Sequence, residues 1–142
     1  MKREIKFRVW NNNTKRYESK GFLTSSSELD NSYVLRGVME FEQDEDDYND
    51  DGENIVLEQF TGLKDELGKD IYEGDIVNII FKDDIDATEY LSVSKVIWSE
   101  ISLRWEIPTR KDADFGLPLN WGGYESLDVI GNIYENPELI KP

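Results

Sequence analysis

Phe60-Thr-Gly-Leu-Lys-Asp-Glu-Leu-Gly-Lys-Asp-Ile-Tyr-Glu-Gly-Asp-Ile-Val77 is the stretch whose reading decides the fold. Glycines at 62, 68 and 74 punctuate it. Asp65-Glu-Leu-Gly-Lys69 is turn chemistry, with Gly68 suited to a positive φ. Asp70 to Gly74 is too short for a stable helix and reads as a single turn closed at Gly74. Asp75 to Phe81 follows, dense in β-branched residues and apolar on both faces, which predicts a central strand. A Gly-Asp turn feeding such a strand is common where a chain enters a small SH3-like barrel, an analogy only.

Upstream, Ile55 to Thr61 reads as a strand. Glu4 to Trp10 alternates, with Ile5, Phe7 and Val9 on one face and Lys6, Arg8 and Trp10 on the other. That predicts a half-buried strand. Asn11-Asn-Asn13 is a turn, and Lys15 to Lys20 returns as the second strand of a hairpin. A Ser-rich loop (21–32) with a short helix starting near Ser27 and a strand region from Tyr33 to Phe41 come next.

Downstream, Lys82 to Thr88 is a turn and Glu89 to Ser99 one strand. Ser99-Glu100 then reverses the chain into Ile101, Leu103, Trp105 and Ile107, alternating with Ser102, Arg104, Glu106 and Pro108. Thr109 to Gly123 is a loop packed down by Trp121 and Tyr124. Ser126 to Tyr134 is a closing strand with a bend at Gly131. Asn136 to Ile140 is a final turn.

Seven or eight short strands and no helical period of 12 residues predict a mainly β protein. The expected form is a compact SH3-like or related small β-barrel with an N-terminal β appendage and long loops. The expected division is a hairpin region with an acidic loop over 1–54 and a barrel-like domain over 55–142, or one integrated domain over 1–142.

The composition narrows the chemistry. The chain has no cysteine and no histidine, which removes thiolate zinc sites, thiol nucleophiles and the commonest general base. No P-loop, dinucleotide-binding or hydrolase motif is present. The expectation is a non-enzymatic protein with no catalytic residue and no cofactor. The net charge is −15. Residues 1–20 carry seven Lys/Arg against two Asp/Glu, a balance of +5, and the other 122 carry nine against 29, a balance of −20. Such a surface repels phosphates, so direct nucleic-acid binding is not expected. It also motivates an alternative, an acidic DNA mimic that blocks a host nucleic-acid-binding protein. The opening residues lack an apolar h-region and no apolar run is long enough to span a bilayer. The expected location is the cytoplasm.

Three sets of residues invite a sharper reading. Lys2, Arg3, Lys6 and Arg8 could bind an anion, or simply form a charged strand face. Asp65, Glu66, Asp70, Glu73 and Asp75 could make a carboxylate dyad or magnesium site, but Asp65 and Asp75 equally suit local backbone N–H groups. Within Glu42 to Glu53, which holds eight acids and no base, Asp47, Asn49, Asp51 and Gly52 with Glu58 fit the spacing of a calcium loop. Asn54 at its usually apolar position and a strand at 55–60 argue against it, leaving an acidic surface loop. The seventeen aromatic residues could stack single-stranded bases, or fill a core.

Three blocks resemble the YopX family of phage and prophage proteins. They are Arg3 to Trp10; Gln59 to Asp65 with Gly68-Lys69 and Ile71 to Val77; and Val129 to Leu139. Segment 42–53 is then an insertion. The resemblance implies a small β protein in a bacterial host cytoplasm that self-associates or binds a host or phage protein, and it carries over no catalytic residue.

Overall fold

A computed structural model describes residues 4–17, 23–24, 55–109 and 116–140. The helix near Ser27, the strand over Tyr33–Phe41 and the acidic stretch with Asp47, Asn49 and Asp51 lie outside the described residues. The protein is mainly β, with a sheet curled into a half-barrel. It forms two compact units, Met1–Gly62 and Leu63–Pro142.

In the first unit, β1 (Lys6–Asn11) and β2 (Arg16–Tyr17) form the expected hairpin, with Trp10 opposite Tyr17. The turn works as its asparagines suggest. Asn11 Oδ1 accepts from the N–H groups of Asn13 and Thr14, at 2.9 and 3.2 Å. β3 (Leu23–Thr24) also pairs with β1. The other partner of β1 is β4 (Ile55–Lys64), in a register running from Phe7 opposite Gln59 to Asn11 opposite Ile55. β1 is covered more fully than alternation predicts, because Val9 and Trp10, on opposite faces, are both buried.

β4 leaves the first unit at Gly62. The Asp65–Lys69 turn leads into β5 (Asp70–Tyr72), its neighbour in the sheet. This corrects the reading of 70–74 as a single closed turn. The three residues pair as a strand, and only Glu73-Gly74 turns the chain. Gly68 and Gly74 have φ of +82° and +80°, a region where a side chain costs roughly 1–2 kcal/mol.

β6 (Asp75–Lys82) is the expected central strand. It lies between β11 (Tyr124–Asn132) and β7 (Glu89–Lys95), antiparallel to both. Ile76, Val77 and Ile79 on it are fully buried. The β11 register shifts between Val129 and Gly131, where a bend was expected. Pro137–Leu139 forms a single 3-10 turn.

The expected strand over Glu89–Ser99 is broken. Val96 turns into the core, where its N–H donates to Asp75 O (2.8 Å) and its carbonyl accepts from Gly74 N–H (3.0 Å). Past this break β8 (Ile97–Ser99) joins a second sheet with β9 (Arg104–Ile107) and β10 (Leu117–Pro118). The hairpin is real, but β9 starts at Arg104 and not at Ile101. Ser99 Oγ accepts from Ser102 N–H at 3.1 Å, and Leu103 takes φ +53°. Ile101 and Leu103 therefore lie exposed in the turn.

The core of the second unit gathers Ile71, Val77, Ile79, Val96, Ile107, Leu119 and Leu127. Each such aliphatic side chain contributes on the order of 1.5–3 kcal/mol on burial. Trp121 and Tyr124 pack edge to face at 5.1 Å, as the loop reading expects.

Candidate functional site

The carboxylates of the central stretch are drawn into the backbone. Asp65 is buried, and its Oδ1 accepts from Leu67 N–H (3.0 Å) and Lys69 N–H (2.8 Å). Its Oδ2 accepts from Val129 N–H on β11 (3.1 Å). Asp75, also buried, accepts from Tyr72 N–H at 2.8 Å. Asp70 pairs with Lys64. Glu66 is exposed, while its backbone N–H donates to Leu127 O. Glu73 is half-buried in the turn after β5, so the five acids are separated by role. Among the described residues no three potential ligands gather to hold a metal ion.

The strand reading of 55–60 also places Glu58. It is buried in the first unit, accepting from Arg8 (3.2 Å) and from the Tyr17 hydroxyl (2.6 Å). Both carboxylate oxygens are engaged, and so is the last position of the calcium-loop pattern. The basic face of β1 is likewise engaged. Lys6 pairs with Glu4 and lies 4.3 Å from the centre of the Phe60 ring, while Arg8 stacks over Tyr17. Lys2 and Arg3 lie outside the described residues.

Glu106 is a buried acid that alternation placed on a polar face. It accepts from Arg104 Nε (2.8 Å) and Gly116 N–H (2.9 Å). Burial opposes its charge, but the bonds from Gly116, Ser102 and Arg104 outweigh it and hold the carboxyl below its ordinary value. Nothing in the alternating pattern marks this position. The flanking Arg104 is its one sequence signal.

Among the described residues, clefts open on the second unit. One, of about 320 Å³, lies along the central stretch and is lined by Leu63, Ile71, Leu119, Trp121, Tyr124 and Leu127, among others. Its phenol is committed, since Tyr124 donates to Pro118 O at 2.8 Å and burial pushes its pKa up. A group held protonated in this way is a poor base. The other, of about 350 Å³, follows β7 at Ser92–Lys95 and is bounded by Pro108, Thr109 and Ile140.

The second cleft borders a strand that ends its sheet among the described residues. β7 has a strand on one side only, β6, among the described residues. Leu91 is 68% exposed and Val93 40%. They share a sheet face with each other, Glu89 and Lys95, through the period-two geometry of a strand. Tyr90, on the opposite face, stacks on Phe81 at 5.3 Å. Aromatic residues elsewhere pair mainly with one another, as with Trp98 and Trp105 at 5.2 Å. An edge of this kind offers backbone donors and acceptors plus apolar side chains, a combination that recruits another strand. Sequence reading identified the strand and missed the exposure.

The YopX protein family matches over residues 6–141, nearly the whole chain. No curated protein matches the sequence. The structure is similar to the crystal structure of protein EF1440 from Enterococcus faecalis, with a TM-score of 0.51 and 23% identity. That likeness covers 96% of this chain and 98% of the other, and it is a likeness of fold. No described helix is long and apolar enough to cross a membrane.

Proposed function

The chain belongs to the YopX family, and from that premise we propose that it is a non-enzymatic accessory module of a phage or prophage, acting in the bacterial cytoplasm by strand-mediated protein binding. One observation carries this reading: among the described residues β7 pairs with β6 alone, and Leu91 and Val93 are exposed beside a cleft. Exposed, unpaired strand edges are a hazard that folded proteins usually blunt, so an edge left open and apolar favours use as an interface. The non-enzymatic part rests on the employment of the described carboxylates. Asp65, Asp75, Glu58 and Glu106 all accept hydrogen bonds from the protein's own groups.

The test is binding with and without the edge. Wild-type protein and the Leu91→Arg/Val93→Arg variant are compared by analytical ultracentrifugation over a concentration series and by capture from a bacterial lysate. The expected result is an association, with a second copy or with a defined protein, that the variant loses while keeping its circular dichroism spectrum. An association the variant retains in full would place the interface elsewhere and overturn the reading.

A further inference from the structure

Resting on that reading of the edge, we propose that its occupant is a second copy of this chain, with the two β7 strands antiparallel about a two-fold axis at Ser92. The warrant is the order of residues in Glu89-Tyr-Leu-Ser-Val-Ser-Lys95. In this register Ser92 faces Ser92 of the other copy, Leu91 faces Val93, and Glu89 faces Lys95. The two-fold repeats each contact. One face of the joined strands then carries two apolar pairs at its centre and an opposite-charge pair at each end. Directly opposed charges and apolar residues are the pairs that stabilise antiparallel strands.

The alternatives are worse. A parallel arrangement sets Glu89 beside Glu89. A slip of two residues centres the axis on Val93, places Leu91 against Lys95, and leaves no charge pair. The choice also suits the electrostatics of the whole chain. With 31 acids and 16 bases, most surfaces of two copies repel. β7 carries one acid and one base, Glu89 opposite Lys82 on β6 and Lys95 opposite Ile76. It is therefore a segment on which two copies can meet without like charges opposed. The product is a continuous six-stranded sheet, β11-β6-β7 followed by the same three strands reversed, and the isologous contact closes on itself. A seven-residue edge contact sits at the small end of stable interfaces, so the association should depend on concentration.

Charge exchange tests the register. Glu89→Lys and Lys95→Glu should each weaken dimerisation by roughly tenfold, because each opposes like charges twice across the axis. Glu89→Lys lowers the net negative charge and so eases bulk repulsion, yet the register requires it to weaken the dimer. The double variant Glu89→Lys/Lys95→Glu keeps the wild-type net charge and should restore wild-type association. In this cysteine-free chain, Ser92→Cys should cross-link two copies with a short bis-maleimide, and Ser94→Cys, which faces Tyr90, should do so far less. A strictly monomeric wild type, a double variant no better than the singles, or equal cross-linking at both positions would overturn the self-pairing. If Leu91→Arg/Val93→Arg still abolished binding to another protein, the edge reading itself would stand.

Discussion

The two edges of the β11-β6-β7 sheet are finished in opposite ways. Along β11, the Asp65 carboxylate takes the Val129 N–H and the Glu66 N–H donates to Leu127 O. A turn made of the chain's own residues thus occupies positions that a neighbouring strand would otherwise use. Along β7, among the described residues, no second strand pairs, and Pro108, Thr109 and Ile140 face Ser92–Lys95 only across a cleft. The difference shows how one sheet separates stability from recognition. The closed edge removes backbone groups from competition, and the open edge keeps them available.

Breaking the closed edge should have the largest effect. Asp65→Ala leaves three N–H groups without their acceptor, and a loss of about 3–5 kcal/mol is expected in denaturant unfolding. Asp65→Asn, which can still accept but also turns an NH2 toward a donor, should fall between. A loss below about 1 kcal/mol for the alanine variant would mean that the carboxylate does not hold this edge. Next comes Gly74→Ala, expected to cost about 1–2 kcal/mol because φ is +80°. Gly74 bonds to both Val96 and Ile133, so this change loosens the approaches to both edges together.

Glu106 distinguishes edge closure from carboxylate–amide bonding in general. Its folded pKa is below the ordinary value of 4.5, so its contribution is fully present above that pH and is lost as pH falls through the folded value. Glu106→Gln should flatten the acid limb of the stability–pH curve, measured by urea midpoints between pH 3 and 6. An unchanged limb would assign acid sensitivity to other groups. The smallest effect on stability is expected at the open edge. Leu91→Arg should change unfolding free energy by no more than about 0.5 kcal/mol, since its side chain is already in water, while reducing association. A large destabilisation there would mean that the edge is structural after all.

Much of this contrast is written locally and some of it is not. The central strand could be read because Ile76, Val77, Ile79 and Ile80 are apolar on both faces, which only a doubly covered strand tolerates. The turn at 65–69 could be read because Asp and Gly have local reasons to be there, and Asp65 does bind Leu67 and Lys69. Its third bond, to Val129, crosses 64 positions and has no local signature. The break at Val96 was hidden for the same reason, since β-branched residues continue through it and the force that bends the chain is a bond to Asp75. Glu58 and Glu106 followed strand alternation, while their burial depends on Arg8, Tyr17 and Gly116 elsewhere in the chain. The exposure of Leu91 and Val93 was likewise invisible, because a strand's sequence does not state whether its second neighbour exists.

The bond between Asp65 and Val129 also dictates an order of events. It joins the middle of the chain to the last of the described strands, and β6 must wait equally long for β11. Pairings of such high sequence separation are slow to form, because the loop entropy is lost before any contact repays it. Until β11 arrives, β6 has one flank unfilled and the 65–69 turn has nothing to fasten. Acquisition of the native state should therefore be late and all at once, and the interval before it is when this chain is most exposed to pairing with the wrong strand.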